Sequence, residues 1–563
     1  MKRSVYLVFE FIIFLSVFTL YAALPTLDAQ VPPDSTSFIP PIDYELKLAG
    51  SFAELRSNHF HSGIDIKSKN GKGGDAILAS EKGYVSRIKV QSGSYGKAIY
   101  MDHPNGYTTV YAHLDKFHPS IETFIEKIQK HVQQFEIDVY LPDGKFDFEQ
   151  GQQIGVLGNT GRSSAPHLHF EIRDTKKETP MLPSKFNIKV EDDVAPIVQK
   201  LFVYALDESG QILDKKEAKI EGKKGRYKCL QTIEVASDFI GFGVKTYDRS
   251  NGVWNKNGIY DLKLIQGDAV KFYASFDQFS FSESKAINGI IDYKHYDLYR
   301  EKILKLFSSA CNPLSNYQYE GGGWVPIDEM EKSYSIEVGD DSGNISQIDV
   351  RVMQAGKKVE NKPSGELVTC GMKDTLGLSD GTRLIFQENS LYVNQYIQFY
   401  DSKVGSERKI HIINNEGPAH QNFILEIPEV SDPQLTLVKI ENGQMENFGG
   451  SIVDGNFVAY LDEFGTYALT KDEKAPTITR KATSTQGQSK IYYFEIRDDL
   501  DYDSSLGDYK MGVSACNQWV PYFYDLKNDQ LIIDSKDLPI DCRDIQITAI
   551  DHSKNKAVVK LNI

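Results

Sequence analysis

A chain of 563 residues exceeds what one hydrophobic core supports, and at roughly 150 residues per domain it divides into about three to four units. Its 40% hydrophobic, 25% charged and 11% aromatic residues fall in the range of folded soluble domains, which excludes global disorder. A formal charge of -15 excludes an extended polyanion-binding surface, so nucleic acid is not an expected partner.

The chain opens on Met1-Lys2-Arg3 and an apolar run from Val5 to Leu24 interrupted by Glu10, Ser16 and Thr19. This pattern predicts a signal peptide over 1–29, cleaved near Ala29; a retained anchor of about 20 residues is the alternative. No cysteine lies near Ala29 and no later run is long enough to span a bilayer, so no lipid anchor and no membrane contact are expected of the mature form.

From 30 to 190 short apolar strands alternate with Gly turns, as in Gly83-Tyr84-Val85, Ala98-Ile99-Tyr100-Met101, Tyr107 to His113 and His167 to Ile172. A small antiparallel β unit is predicted. One insertion, 116–150, breaks the pattern: Ile121, Phe124, Ile125, Ile128, Val132 and Phe135 recur at helical spacing, predicting an amphipathic helix over Ser120 to Glu136.

Beyond 190 the chain echoes itself. Asp193-Val194-Ala195-Pro196-Ile197 resembles Lys474-Ala475-Pro476-Thr477-Ile478, and Asp341-Ser342-Gly343-Asn344 resembles Asp551-His552-Ser553-Lys554-Asn555; each of the latter precedes an alternating strand. The predicted layout is an immunoglobulin-like β module at 191–354 with an insertion around Phe272 to Tyr319, a β-rich domain at 355–473, and a second immunoglobulin-like module at 474–563. The fold class is therefore mainly β. The five cysteines show no Cys-x-x-Cys spacing and build no metal site; Cys516 and Cys542 either pair within the last module or stay buried thiols, and the odd count leaves at least one unpaired or intermolecular.

Two weak motifs carry chemistry. In Phe60-His61-Ser62-Gly63-Ile64-Asp65 an imidazole and a carboxylate four residues apart can converge on one ion across a Gly bend, although such spacing also occurs as a solvated turn. In His167-Leu168-His169 strand alternation puts both imidazoles on one face. His113, closing Thr109-Val110-Tyr111-Ala112-His113-Leu114, taken singly reads as a core histidine, His59 as solvent-facing and His103 as part of a turn.

Together with Ile77-Leu78-Ala79, Tyr95-Gly96-Lys97-Ala98-Ile99, Gly151-Gln152-Gln153-Ile154-Gly155 and Gly158-Asn159-Thr160-Gly161-Arg162-Ser163, these motifs form an ordered series that resembles the M23 metallopeptidases, the lysostaphin- and LytM-like cell-wall endopeptidases, over about a quarter of the chain. The resemblance implies a small LytM-like domain holding one Zn²⁺ through His61, Asp65 and His169. It implies hydrolysis of peptidoglycan peptide cross-links by a metal-activated water, with His113 and His167 as catalytic groups and Asn159, in the Gly-rich loop, at the substrate groove; Tyr111, by its place before Ala112-His113, either faces that groove as well or packs within its strand. It also implies an exported protein, periplasmic, associated with the cell envelope or secreted. Two departures stand out: Ala165 replaces a Gly common in the family, and the helical insertion is extra, either a cover for the groove or a peripheral decoration. Two other readings fit the sequence. One is a non-catalytic wall-binding or hydrolase-regulating protein on the same scaffold; the other is an adhesion or partner-binding protein whose β modules dock a cell-envelope partner.

Overall fold

The computed structural model describes residues 37–563 apart from 309–310, 320, 358–363, 406, 415–416, 487–488, 501–508, 526–527, 529, 543, 552 and 563. The expected export segment lies outside these residues. No helix among them is long and apolar enough to cross a membrane.

The N-terminal unit contains β1 (Leu48–Gly50), β2 (Ile64–Lys67), β3 (Ala76–Leu78), β4 (Gly83–Val90), β5 (Lys97–Asp102), β6 (Tyr107–Ala112), β7 (Leu114–Phe117), α1 (Pro119–Val132), β8 (Ile137–Tyr140), β9 (Asp147–Phe148), β10 (Gln153–Leu157), β11 (His167–Asp174) and β12 (Pro180–Met181). Antiparallel pairing gives the sheet order β1-β2-β11-β6-β5-β4-β8, with β12 on β11 and β9 on β4; a smaller sheet, β3-β10-β7, packs against it. Between the two sheets lie Ile77, Leu157, Met101, Tyr111, Phe170 and Ile172, all fully buried. Each such side chain contributes about 1.5–3 kcal/mol by leaving water. Alternation along the central strands directs Leu168, Phe170 and Ile172 into this core and His167, His169, Glu171 and Arg173 to the opposite face.

The predicted helix forms, but over Pro119–Val132 and not through Glu136, because Gln133 takes a left-handed conformation and returns its N–H to the Gln129 carbonyl. Ile121 and Ile125 bury its inner face. The rest of the insertion is strand: β8 and β9 both pair with β4, enlarging the sheet edge. Phe135 lies past the helix and packs edge-on against Phe523 of the last module, ring centroids 5.6 Å apart.

The C-terminal two-thirds consists of three further pairs of sheets. In 191–354 a five-stranded sheet faces an eight-stranded one; Ala269–Ser275 and Tyr317–Tyr319, expected inside an insertion, extend the larger sheet, while between them short helical turns stand outside it and Leu304–Lys305 joins the five-stranded sheet. Six- and five-stranded sheets enclose a separate core within 355–473, and two four-stranded sheets enclose another in the last module. Cys516 pairs with Cys542, Cys311 pairs with Cys370, and Cys229 is free. The Cys311–Cys370 bond ties the second unit to the third, a link the spacing did not reveal.

The first and second units share one apolar core. Phe52 and Phe60 meet Phe279 at 5.5 and 5.2 Å, and Phe60 meets Phe276 at 5.8 Å. The insertion helix, packed on β7, contributes Ile121 and Ile125 to the same core, so Ile125→Ala is expected to cost about 2–5 kcal/mol. Urea unfolding of the whole chain, followed by hydrogen exchange in β4 and β5, checks this; unchanged protection there would show that the helix is peripheral.

Candidate metal centre

The site lies on the face of the large sheet opposite its core. Register sets its first contact: β2 and β11 pair so that Asp65 is directly opposite His169, the close cross-strand position. His61 comes from the turn before β2. Gly63 lets that turn pass under β11, since a Cβ there would come within 2.2 Å of the Phe170 carbonyl oxygen.

Three donors converge. His61 Nε2 and His169 Nδ1 are 3.0 Å apart, and each is 3.0 Å from Asp65 Oδ1. The opposite ring nitrogens are engaged elsewhere and so fix the orientation of each ring: His61 Nδ1 donates to the Ser51 carbonyl at 2.7 Å, and His169 Nε2 donates to Glu171 Oε1 at 2.7 Å. Tetrahedral zinc with bonds of about 2.0–2.1 Å spaces its ligands about 3.3 Å apart. The triangle His61–Asp65–His169 therefore fits one face of such a site, and all three residues are buried.

The surrounding charges also suit a cation. Burial opposes ionisation of Asp65, but the imidazoles of His61, His167 and His169 outweigh it and hold the carboxyl well below its usual range. Burial likewise opposes a charge on His169, yet Asp65 and Glu171 push its pKa up to about 9. Asp65 Oδ2 is taken by Arg56 Nη2 at 2.8 Å.

Behind His169 stands a fully buried acid. Glu171 Oε1 accepts from His169, from the Tyr95 hydroxyl at 2.6 Å and from Ser62 Oγ at 2.7 Å, while Oε2 accepts from Arg173 Nε at 2.6 Å. Burial alone would raise this carboxyl; Arg173 and His169 together keep it well below the ordinary range. Removal of any one partner would strand a buried charge.

His113 and His167 flank the triangle, ring centroids 4.7 Å apart. His113 has φ 63°, a left-handed value uncommon outside glycine, which turns its ring back toward β11. Its Nδ1 donates to the Thr160 carbonyl at 2.8 Å; burial, reinforced by His169 and His167, pushes its pKa down to about 3, so it is neutral. His167 donates from Nδ1 to the Ala165 carbonyl at 2.8 Å, with Ser163 Oγ 3.1 Å away, and places Nε2 3.3 Å from Asp65 Oδ1.

Two expected groove residues are corrected. Tyr111 is fully buried on the core side: Ala112, not Tyr111, lies opposite His169 on the site face, and the Tyr111 hydroxyl accepts from the Ser80 N–H at 2.8 Å. Asn159 is absent from the cleft lining, and its Oδ1 accepts from Ser163 Oγ at 2.6 Å, which supports the hydroxyl beside His167. In the Gly158–Ser163 loop Gly161 has φ 71°, and a Cβ there would strike Gly96 N at 2.3 Å. Ala165 carries no positive φ, so the replacement of Gly is unstrained. His59 is exposed at the cleft rim, and His103 is a buried structural group bonded to the Lys82 carbonyl and Thr109.

The cleft over the site holds about 1230 Å³. One wall is the N-terminal unit, including Tyr95, His113 and Arg162; the other belongs to the second unit, through Asn255, Phe281 and Lys285. The helical insertion does not line it. Arg56, Glu171 and this second wall had no role in the sequence reading. Glu171 was within reach, since the period of two that pairs His167 with His169 continues through Glu171 and Arg173.

Residues 59–130 and 144–183 match the family model "Peptidase family M23"; the gap coincides with the end of α1 and β8. DD-carboxypeptidase/endopeptidase Mpg of Neisseria meningitidis serogroup B is 33% identical over 119 residues, 21% of this chain and 21% of that protein. Peptidoglycan DD-endopeptidase ShyA of Vibrio cholerae is 26% identical over 188 residues, covering 32% of this chain and 36% of ShyA. Murein hydrolase activator NlpD of Salmonella typhimurium is 31% identical over 162 residues, 28% of this chain and 36% of NlpD. The matched stretch is thus about a fifth to a third of each of these relatives' length. The three-donor triangle and the ordered motifs around it lie in that stretch, and the N-terminal unit of this chain is a domain of peptidase family M23.

Proposed function

We propose that this protein is an exported, zinc-dependent endopeptidase that cuts peptide cross-links of bacterial peptidoglycan. The carrying observation is the convergence of His61 Nε2, Asp65 Oδ1 and His169 Nδ1, each ring fixed by a hydrogen bond from its other nitrogen. His61, Asp65 and His169 would hold the ion, which in such a site polarises a carbonyl and acidifies a water toward a pKa of about 7.

The chain's own groups supply the rest. His113, donating from Nδ1 to Thr160, presents the Nε2 lone pair and is the proton acceptor in this reading. His167, its ring set by Ala165 and Ser163, stands beside it and stabilises negative charge developing on the scissile carbonyl oxygen. Glu171 positions His169 and excludes the alternative tautomer. The wide cleft suits an extended peptide attached to glycan.

A second reading, a hydrolase-regulating protein without activity of its own, is favoured by one observation: Arg56 holds Asp65 Oδ2 and so competes for the carboxylate's charge. Incubating the full mature chain with peptidoglycan and zinc, with mass spectrometry of released fragments, separates the two. New amino and carboxyl ends support the peptidase; intact peptidoglycan with stoichiometric bound zinc refutes it.

His113→Ala is expected to retain zinc and to lose about 10²–10⁴ in turnover; loss of zinc in this variant would show that His113 is a ligand. Glu171→Gln removes the charge that orients His169 and is expected to weaken zinc about 10–100-fold, read by competition with a chelating indicator. Unchanged affinity would reduce Glu171 to a packing role.

A further inference from the structure

The internal echo of the β modules contains an unused cluster of acids. Asp192 lies four residues before Pro196, Asp248 directly follows the strand Phe239–Tyr247, and Asp340 directly follows Lys332–Gly339. Their carboxylate oxygens lie within 4.8 Å of one another. Asp248 and Asp340 are each 4% exposed.

Among the described residues no Lys, Arg or His forms an ion pair with these acids. Burial first, and then the neighbouring carboxylates, push Asp192 and Asp248 up to about 6 and about 8; Asp340 is raised by burial. Asp248 Oδ1 is buried without a hydrogen bond. Independently, Asn257, paired with Asp248 across an isolated bridge and 4% exposed, also has a buried Oδ1 without a partner. Asp192, Asp248 and Asn257 line one cavity of about 40 Å³, roomy enough for an ion or water at about 10–15 Å³ apiece. Unpaired, these oxygens are destabilising.

The cluster is braced as a site. Asp340 Oδ1 accepts the Ser342 and Asn344 N–H groups at 2.9 and 2.8 Å, and the Asn344 amide reaches back to the Asp192 carbonyl at 3.2 Å. The last module repeats this frame: Asp472 stands four residues before Pro476, Asp498 directly follows a strand, and Asn555 bonds Asp551 Oδ1 at 2.7 Å and the Asp472 carbonyl at 3.1 Å. There, however, Lys474 pairs with the adjacent Asp499 at 2.5 Å.

We infer that Asp192, Asp248, Asp340 and Asn257 form a calcium site at the junction of the first two units. An all-oxygen, irregular set with several carboxylates suits Ca²⁺, whereas Mg²⁺ demands near-octahedral geometry and Zn²⁺ prefers nitrogen or sulfur. The location gives the site a consequence. Residues 248–257 form one loop, and its Asn255 bonds Lys67 and donates to the Ala49 carbonyl at 3.3 Å on the wall of the peptidase cleft; Gly258 N–H donates to Ser51 Oγ at 2.8 Å, and the Ser51 carbonyl orients His61. An ion held by Asp248 and Asn257 fixes both ends of the loop that places Asn255 on the cleft wall.

The inference goes beyond the peptidase reading, and its test needs no activity. Calcium is titrated calorimetrically into the full mature chain treated with EGTA, and melting is followed without and with about 5 mM calcium, several times the dissociation constants of about 10⁻⁴–10⁻³ M typical of extracellular sites. Wild type is expected to bind and to melt about 2–4 °C higher with calcium. Asp248→Asn removes the ionisable oxygen and keeps the shape of the side chain, so it is expected to melt no lower than wild type without calcium, to bind one fewer ion per chain and to lose the shift; Asp340→Asn should weaken binding at least about tenfold. No calcium heat in wild type, as expected if Asp248 simply carries a proton, overturns the site. So does unchanged stoichiometry and affinity in both variants, and an equal shift with magnesium overturns the assignment to calcium.

Discussion

The cross-strand pair Asp65–His169 is the contact on which the rest of the site depends. Antiparallel register places the two residues opposite each other, and that alone would leave an imidazole free to choose either tautomer and several rotamers. Glu171, two residues along the same strand face, removes the choice by accepting from Nε2, so Nδ1 turns toward Asp65. The acid is affordable in a dry location only because Arg173, Tyr95 and Ser62 satisfy its oxygens. Strand β11 thus carries a line of alternating groups, from His167 at the cleft to Arg173 under Phe281, in which Glu171 bonds both His169 and Arg173.

Local periodicity explains what could be read before the structure was known. His61, Asp65, His167 and His169 stand out because a Gly bend and a period-two strand bring them to one face by local geometry. Tyr111 was assigned to the wrong face for want of one fact: the residue of β6 opposite His169 is Ala112, so parity sends Tyr111 into the core. That is long-range register, which no local pattern encodes. His113 depends on a left-handed backbone value at a strand end, and the role of Arg56 depends on the path of the loop before His61. The helix overran by four residues because Phe135 continued its apolar spacing while facing another module.

The β modules are joined to the peptidase domain too closely to be passengers. Phe52 and Phe60 share a core with Phe276 and Phe279, and Tyr392 of the third unit donates to the Lys285 carbonyl at 2.5 Å. Lys285 and Phe281 in turn line the cleft, and Arg173, which supports Glu171, lies under the Phe281 ring at 4.6 Å. A chain of contacts therefore runs from the third unit, through the second, to the acid behind His169. The apolar share of that chain is not switchable at small energy, since a close-packed core resists displacement.

What can be tuned is the polar share. Residues 248–257 connect two buried oxygens without partners to Asn255 on the cleft wall, and Gly258 continues to Ser51, whose carbonyl fixes His61. Such a segment has few apolar anchors of its own: Trp254 near its centre is largely exposed, with the Arg249 guanidinium 5.6 Å from its ring. Loops of this kind occupy the low-stability end of a fold and respond to whatever neutralises the charges at their base. The peptidase domain supplies the donors of the site, while the neighbouring module sets how firmly one wall of its cleft is held.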